Sequence, residues 1–267
     1  MSASPATVGG GLRWGWLLAS FVRREVLSRY AGSVSGLAWT LLHPLAQLAI
    51  FAYVFSHIFR VGVPAGYPGV GYVTFVAIAL WPWIMFSDGL QRGMGAIAAN
   101  AGLVKKVAFP HRLLVFSAVI GTCVVHCVGF VVVLLALRAA GQPIRLSALP
   151  LAFALLVPYM LLATGIAAIL AALQTLLRDV EHVVQVLLQM IFYATPILYP
   201  ATLVPQALQE YVRMNPLGWF SERLREVLLH GSGLVAGDLL ATVVSLAVLA
   251  AGLWFFERLS PHFEDFL

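Results

Sequence analysis

The sequence has very few charged residues. Only 10% of its 267 residues are charged and 61% are hydrophobic, whereas a soluble domain carries roughly 25% charged residues. This composition excludes a water-soluble monomer. The net charge of +5 does not indicate a nucleic-acid partner, because the basic residues are scattered singly between apolar runs instead of clustering on a polar surface.

The sequence also lacks the common catalytic motifs. No Gly-x-x-x-x-Gly-Lys-Ser/Thr phosphate loop occurs, and the only two lysines, Lys105 and Lys106, do not follow one. The His-Glu-x-x-His and Gly-x-Ser-x-Gly patterns of hydrolases are absent as well. We therefore expect that the chain is not an enzyme and binds no cofactor of its own.

Cysteine and buried acids are scarce. Cys123 and Cys127 form no disulfide framework, and with His126 between them they offer too few ligands for a convincing metal site, so helix packing explains them better. Few ionisable residues lie near the long apolar runs, whereas a proton-coupled carrier would place several acids at mid-membrane. The sequence therefore predicts no metal site and disfavours secondary transport.

Long apolar runs dominate what remains. Six stretches of 18 to 32 residues contain no Asp, Glu, Lys or Arg, and about 20 apolar residues suffice for a helix to cross a bilayer. We predict an all-α membrane protein with one transmembrane domain, residues 1–267. The predicted spans are 33–59, 71–95, 112–138, 148–176, 180–199 and 236–257.

The distribution of basic residues predicts the orientation. Six spans place both termini on one side, and the loops of that side hold more arginine and lysine than the loops of the other. Cytosolic loops carry such an excess. We therefore expect cytosolic termini in a multi-pass protein of the inner (plasma) membrane, in contact with its lipids.

Three segments outside the predicted spans differ from simple loops in composition or length. Residues 12–30 are amphipathic, with Arg23 and Arg24 on the polar face, which predicts an interfacial helix, although a cytosolic extension of the first span is the alternative. Glu25 and Arg29 intrude on its apolar face in an i,i+4 order that permits pairing. Residues 99–109 predict a short cytosolic helix. Residues 200–232 are too long and too apolar for a simple loop, which predicts re-entrant helices.

Aromatic residues crowd the first, second and fifth predicted spans. Stacked rings with polar tips suit a sugar sliding past, whereas lipid-facing belts and core packing also use such residues. Both explanations remain open. The candidates for a substrate path are Trp39, Phe51, Tyr53, Phe55, Tyr72, Trp81, Trp83, Phe86, Tyr193, Tyr199 and Trp219.

Five segments in order resemble one known family. They are RYAGSVSGLAWTLLHPL from Arg29, FAYVFS from Phe51, NAGLVKKVAFP from Asn100, TPILYP from Thr195, and NPL from Asn215 with Arg225 and LLHG from Leu228. On this six-span frame, the chain resembles the permease subunit of type 2 ABC exporters for polysaccharides along nearly its whole length.

The resemblance implies partners that the residues alone do not show. A homodimer of this chain would join two copies of a separate ATPase, which would bind ATP and Mg. Residues 99–109 would be a coupling helix received by that ATPase, with Arg178 and Asp179 as a second contact or simply a solvated turn. The contacting residues of the coupling helix would be Asn100, Leu103, Val104, Lys105, Lys106 and Phe109.

The resemblance also implies the cargo and its path. A lipid-linked polysaccharide of O-antigen or capsule type would pass between two permease copies and leave near Tyr199, Arg213, Asn215 and Trp219. Teichoic acid is an alternative cargo, and a small molecule such as a drug or haem is a further one. A membrane enzyme acting on lipid-linked sugars is disfavoured, since acids and metal ligands are lacking at the interface. The sequence does not distinguish capsule from O-antigen.

Overall fold

The computed structural model describes residues 10–29, 36–63 and 66–267, and within them the chain is helical with no strand. Eleven α-helices follow one another in these residues. They are α1 (Gly10–Ser28), α2 (Gly36–Tyr53), α3 (Tyr72–Ala99), α4 (Ala101–Val104), α5 (Arg112–Ala139), α6 (Leu149–Leu176), α7 (Val180–Ala194), α8 (Gln206–Met214), α9 (Pro216–Arg225), α10 (Ala236–Leu259) and α11 (Phe263–Phe266). Two π-helical turns, Val54–Ile58 and Glu226–His230, continue α2 and α9.

Four helical segments of the described residues are long and apolar enough to cross a membrane: Tyr72–Ala99, Arg112–Ala139, Leu146–Leu176 and Ala236–His262. At the first and fifth predicted spans lie shorter apolar helices, Leu42–Ile58 and Val180–Ala194. The second of these measures about 22 Å, less than the ~30 Å of hydrocarbon. Its helix ends before Pro196, since a residue preceding proline disfavours the helical conformation. The count of six spans therefore stays a prediction.

The three predicted segments outside the spans correspond only in part to the observed helices. The predicted interfacial segment 12–30 covers all of α1 except its first two residues. Residue 30 lies outside the described part, as do residues 31–35 at the start of the first predicted span. In the segment 99–109 the only separate helix is the single turn of α4, and the chain then runs irregularly to Pro110. The predicted re-entrant segment 200–232 contains α8, α9 and the π-helical turn that follows.

Helix α3 is the centre of the bundle. It packs against α5 on one side and α6 on another, and the run Phe75–Leu80 is almost wholly buried. Helix α10 packs mainly against α6. At their crossing, a β-carbon on Gly252 would lie 2.1 Å from the carbonyl oxygen of Gly165. Two glycines therefore set the distance between these helices, as small residues do in membrane helix pairs.

The bundle has two chemically different ends. One end, called the basic end below, is formed by residues 99–112, 176–180 and 258–267 and carries Lys105, Lys106, Arg112, Arg178 and Arg258. The opposite end is formed by residues 54–63, 66–72, 138–149 and 195–236. By the predicted orientation, the basic end is cytosolic.

Candidate functional site

The loop between α3 and α5 projects two lysines from the basic end. Val104 is buried and Leu103 and Phe109 are partly buried, so these apolar side chains hold the loop against the bundle. Lys105, Lys106 and Val107 are exposed beside them. The loop therefore presents a small surface with two positive charges, fixed to the helices from beneath.

Helix α1 lies against this loop. The Phe21 ring meets the Phe109 ring edge-on at 5.7 Å, and Arg24 Nη2 donates to Asn100 Oδ1 at 2.5 Å. The exposed side of α1 carries Arg23 together with Trp16, a combination typical of a helix at a membrane surface. The loop and α1 are thus in direct contact through a ring pair and a hydrogen bond.

A network of ion pairs joins α1 to α3. Asp88 accepts from Arg92 Nε at 2.8 Å and lies 3.5 Å from Arg29 Nη1. Glu25 lies 3.6 Å from both arginines, so the Glu25–Arg29 pairing suggested by the spacing is present. Nε2 of His126 on α5 lies 3.2 Å from Asp88. Asp88 is therefore the centre of a network linking three helices.

From the sequence, nearness to the cytosolic interface explains Asp88, late in the second predicted span, as well as a role in the substrate path does, and neither explanation predicts an ion-pair network. The i,i+4 spacing of Asp88 and Arg92 was a usable signal, because such pairs share one helix face. The contribution of Arg29 had no signal of this kind, because only the packing of α1 against α5 brings it to the same place.

The aromatic residues proposed for a substrate path fall into two groups. Tyr72, Trp81, Trp83 and Phe86 lie in the core, where Trp81 Nε1 donates to the carbonyl of His126 at 2.9 Å. In this conformation Tyr72, Trp81 and Phe86 pack helices together, whereas Trp83 also borders a polar cavity between α1, α2, α3 and α5.

The other proposed aromatics are accessible to different degrees. Trp39, Tyr53 and Tyr193 are exposed, and Trp219 is 36% exposed, with its ring against Gly237. Phe51 and Phe55 are half-buried, and Phe51 stacks on Phe192 of α7 at 5.6 Å. Tyr199 is half-buried and donates to the carbonyl of Tyr193 at 2.8 Å. Helices α2 and α7 therefore touch through Phe51 and Phe192.

The segment at the opposite end is held by Arg225, whose side chain is completely buried. Its guanidinium donates to the carbonyls of Phe75, Pro196 and Ile197 at 3.0, 2.9 and 2.7 Å and to Glu222 at 2.7 Å. Burial lowers the pKa of Arg225, and Glu222 opposes that shift. Arginine nevertheless remains charged in proteins. Its hydrogen bonds connect α9 to α3 and to the chain that follows α7.

A second arginine anchors the start of α10. Arg223 makes a two-pronged ion pair with Asp238 at 2.8 and 2.9 Å, and its Nη2 donates to the carbonyl of Gly233 at 2.8 Å. The hydrogen bonds to Asp238 raise the pKa of Arg223. Sequence reasoning counted both arginines as loop charges, since no local pattern distinguishes a buried arginine from an exposed one.

Other polar residues at the opposite end make hydrogen bonds that stabilise its local structure. Asn215 caps α9 by accepting from the backbone N–H of Leu217 at 3.0 Å and donates to Thr195 at 2.9 Å. Tyr67 lies 3.5 Å from Glu222, and burial together with that carboxylate raises the pKa of Tyr67 to about 12. The side chain of Arg213 lies outside the described residues. At the basic end, Arg178 and Asp179 are exposed in the turn before α7.

Comparisons with known proteins agree with this architecture. Residues 17–229 match the family described as ABC-2 type transporter. The chain is 29% identical over 257 residues to the O-antigen export system permease protein RfbA of Myxococcus xanthus, covering 93% of this chain and 94% of that protein.

Two further relatives cover most of the chain. The O-antigen export system permease protein RfbA of Klebsiella pneumoniae is 26% identical over 258 residues, with 94% of this chain and 95% of that protein covered. The polysialic acid transport protein KpsM of Escherichia coli is 26% identical over 212 residues, with 78% of this chain and 79% of that protein covered. The resemblance noted in the sequence is confirmed, and this multi-pass membrane protein belongs to the ABC-2 type transporter family.

Proposed function

We propose that this chain is the permease subunit of an ATP-driven exporter that moves lipid-linked polysaccharide of O-antigen or capsule type out of the cytosol. The observation that carries the proposal is the similarity to permeases named for O-antigen export along more than nine-tenths of both chains. The missing phosphate loop fits the same function, because a separate subunit would bind ATP and Mg and hydrolyse ATP.

The permease works as a homodimer in this proposal. Helix α7 buries only Val184, Leu188 and Phe192, which lie on one stripe, and its other face exposes Val186 and Met190. The adjoining face of α2 is uncovered too. A second copy meeting these faces would place Trp39, Tyr53 and Tyr193 of each subunit beside a path between the copies, and their rings would offer sugar units apolar faces.

The energy of ATP hydrolysis would reach that path through the basic end. The loop with Lys105 and Lys106 is the docking element for the ATPase, and Arg178 and Asp179 are a second contact. Helix α1, which touches Asn100 and Phe109, passes the movement on to α3 through Asp88. The re-entrant segment held by Arg225 would form the outer end of the path.

Deletion of the gene in its polysaccharide-producing host tests the function. We expect lipid-linked polymer to accumulate in the cytosol and to disappear from the surface, because nothing else carries it through the membrane. Surface labelling and sugar analysis of the cytosol measure both pools, and sugar analysis also separates O-antigen, capsule and teichoic acid. Complementation with the intact gene is the control. Polymer at the surface in normal amounts would refute the proposal and favour a small-molecule exporter.

Charge reversal of the docking loop tests the coupling. The double variant Lys105→Glu/Lys106→Glu should weaken capture of the ATPase about tenfold, since reversed charges oppose a complementary partner surface. Surface polymer should fall in parallel, as measured by co-purification and surface labelling. The matched control is Arg60→Glu/Arg138→Glu, which changes the same charge on two exposed residues of the opposite end. If both double variants capture the ATPase equally well, the loop with Lys105 and Lys106 is not the docking element.

A further inference from the structure

A polar cavity lies between α1, α2, α3 and α5. Its volume is 570 Å³, within the range of sites for small ligands. Its wall combines two indoles, Trp39 and Trp83, with hydrogen-bonding side chains of α2 and α3. These polar residues are His43, Gln47, Ser87, Asp88, Gln91 and Arg92. Neither the family nor the named relatives assign a role to this cavity.

The depth of the cavity suits a group attached to a membrane lipid. Helix α3 is about 42 Å long, some 12 Å more than the hydrocarbon it crosses. Asp88 lies about 16 Å from the Ala99 end of α3. If this excess lies on the predicted cytosolic side, Asp88 is about 4 Å inside the hydrocarbon boundary of that side, within reach of the head groups. A sugar carried by a lipid of the cytosolic leaflet would arrive at this level.

The charges of the wall favour a neutral ligand over a phosphate. Arg29 and Arg92 are both paired with Asp88 and Glu25, so the formal charges of these four residues sum to zero. A phosphate group would have to compete with two carboxylates that already hold the arginines. Sugar hydroxyls, by contrast, donate to the Asp88 carboxylate and both donate to and accept from Gln47 and Ser87.

The aromatic part of the wall is available to such a ligand. The Trp39 side chain is 62% exposed although it belongs to an apolar helix, so the described residues cover its ring only in part. An indole face paired with amide and carboxylate groups offers both the apolar and the polar contacts that a sugar ring presents. We infer that this cavity is a saccharide-binding site that takes an uncharged sugar unit of the lipid-linked cargo, an inference resting on the proposed function.

The site is connected to the docking loop. Ser28 and Arg29 of α1 form part of the cavity wall, and the same helix holds Asn100 and Phe109 of the loop through Arg24 and Phe21. A bound sugar that fixes the end of α1 therefore acts on the loop that meets the ATPase. Occupation of the cavity should raise the rate of ATP hydrolysis.

The test uses the complex of permease and ATPase in lipid nanodiscs. The probe is the oligosaccharide released from the host's own polymer by mild acid and freed of phosphate. We expect saturable binding by calorimetry and a rise in ATP turnover. Trp39→Ala should weaken the binding about tenfold, the upper range for loss of one ring contact, while Trp39→Phe should retain most of it. Gln47→Leu should also weaken binding, since it removes the hydrogen-bonding groups at similar volume.

Trp254→Ala is the matched control, because Trp254 is 63% exposed on α10 and is not part of the cavity wall. Equal binding by Trp39→Ala and the intact protein would overturn the assignment of the site. Binding of inorganic pyrophosphate that displaces the oligosaccharide would overturn its neutral character. If the intact complex binds no oligosaccharide while gene deletion still traps polymer in the cytosol, the inference fails and the proposed export function stands.

Discussion

Arg225→Ala should strongly destabilise the folded permease. The change leaves the carbonyls of Pro196 and Ile197 without the Arg225 donor and removes the additional bond to the helical carbonyl of Phe75. Each buried group left unsatisfied costs about 1–3 kcal/mol. The guanidinium also covers the Phe75 ring at 3.7 Å. We expect the midpoint of thermal unfolding in detergent to fall by about 10 °C, with loss of surface polymer in the host.

Two variants make this result interpretable. Arg225→Lys should give an intermediate fall, because lysine keeps the charge but lacks the planar fork that reaches several carbonyls at once. Arg138→Ala removes an exposed arginine at the end of α5 and should leave the midpoint unchanged. An Arg225→Ala protein as stable as the Arg138→Ala protein would show that the buried arginine does not hold the outer segment.

Gly252→Ala should separate α10 from α6. The new methyl group would lie 2.1 Å from the carbonyl oxygen of Gly165, and the atom is backbone that a rotamer change does not move. Overpacking in a close-packed interior costs about 1–3 kcal/mol, and more where backbone must shift. Thermal unfolding in detergent should therefore begin at a lower temperature, and protease should cut the connection before α10 faster than in the intact protein.

Gly95→Ala is the matched control for this substitution. Gly95 also lies within a long helix, but a β-carbon there meets no atom within 4 Å. Alanine favours helix by about 1 kcal/mol over glycine, so this variant should be as stable as the intact chain or more stable. If Gly252→Ala shows the same behaviour, α10 does not approach α6 as closely as the two glycines indicate.

The sequence did not predict which aromatic residues are buried and which are exposed. Trp39 and Trp81 belong to equally apolar segments, and no periodic pattern separates them. The structure leaves Trp39 exposed and buries Trp81 against α5. The difference arises because α3 is enclosed by α5 and α6, whereas α2 borders the bundle on one face.

For the arginines, the sequence predicted a contact within one helix but not the contacts between helices. The spacing of Glu25 and Arg29 predicted a pair within one helix, and the pair is present. The contacts of Arg29 with Asp88 and of Arg225 with Phe75 join residues far apart in the chain. Helical periodicity relates residues three or four apart and carries no information about which helices will meet.

The sequence by itself determined that this protein is a helical membrane protein without an ATP-binding loop, because apolar length and missing motifs are local properties. It also determined the family, because the order of five short segments extends along the chain. Only the tertiary structure decided which arginines are buried, which aromatic rings are exposed and where the polar cavity lies. Those features depend on the packing of α1, α2, α3 and α5, which brings residues distant in sequence within a few ångströms of one another.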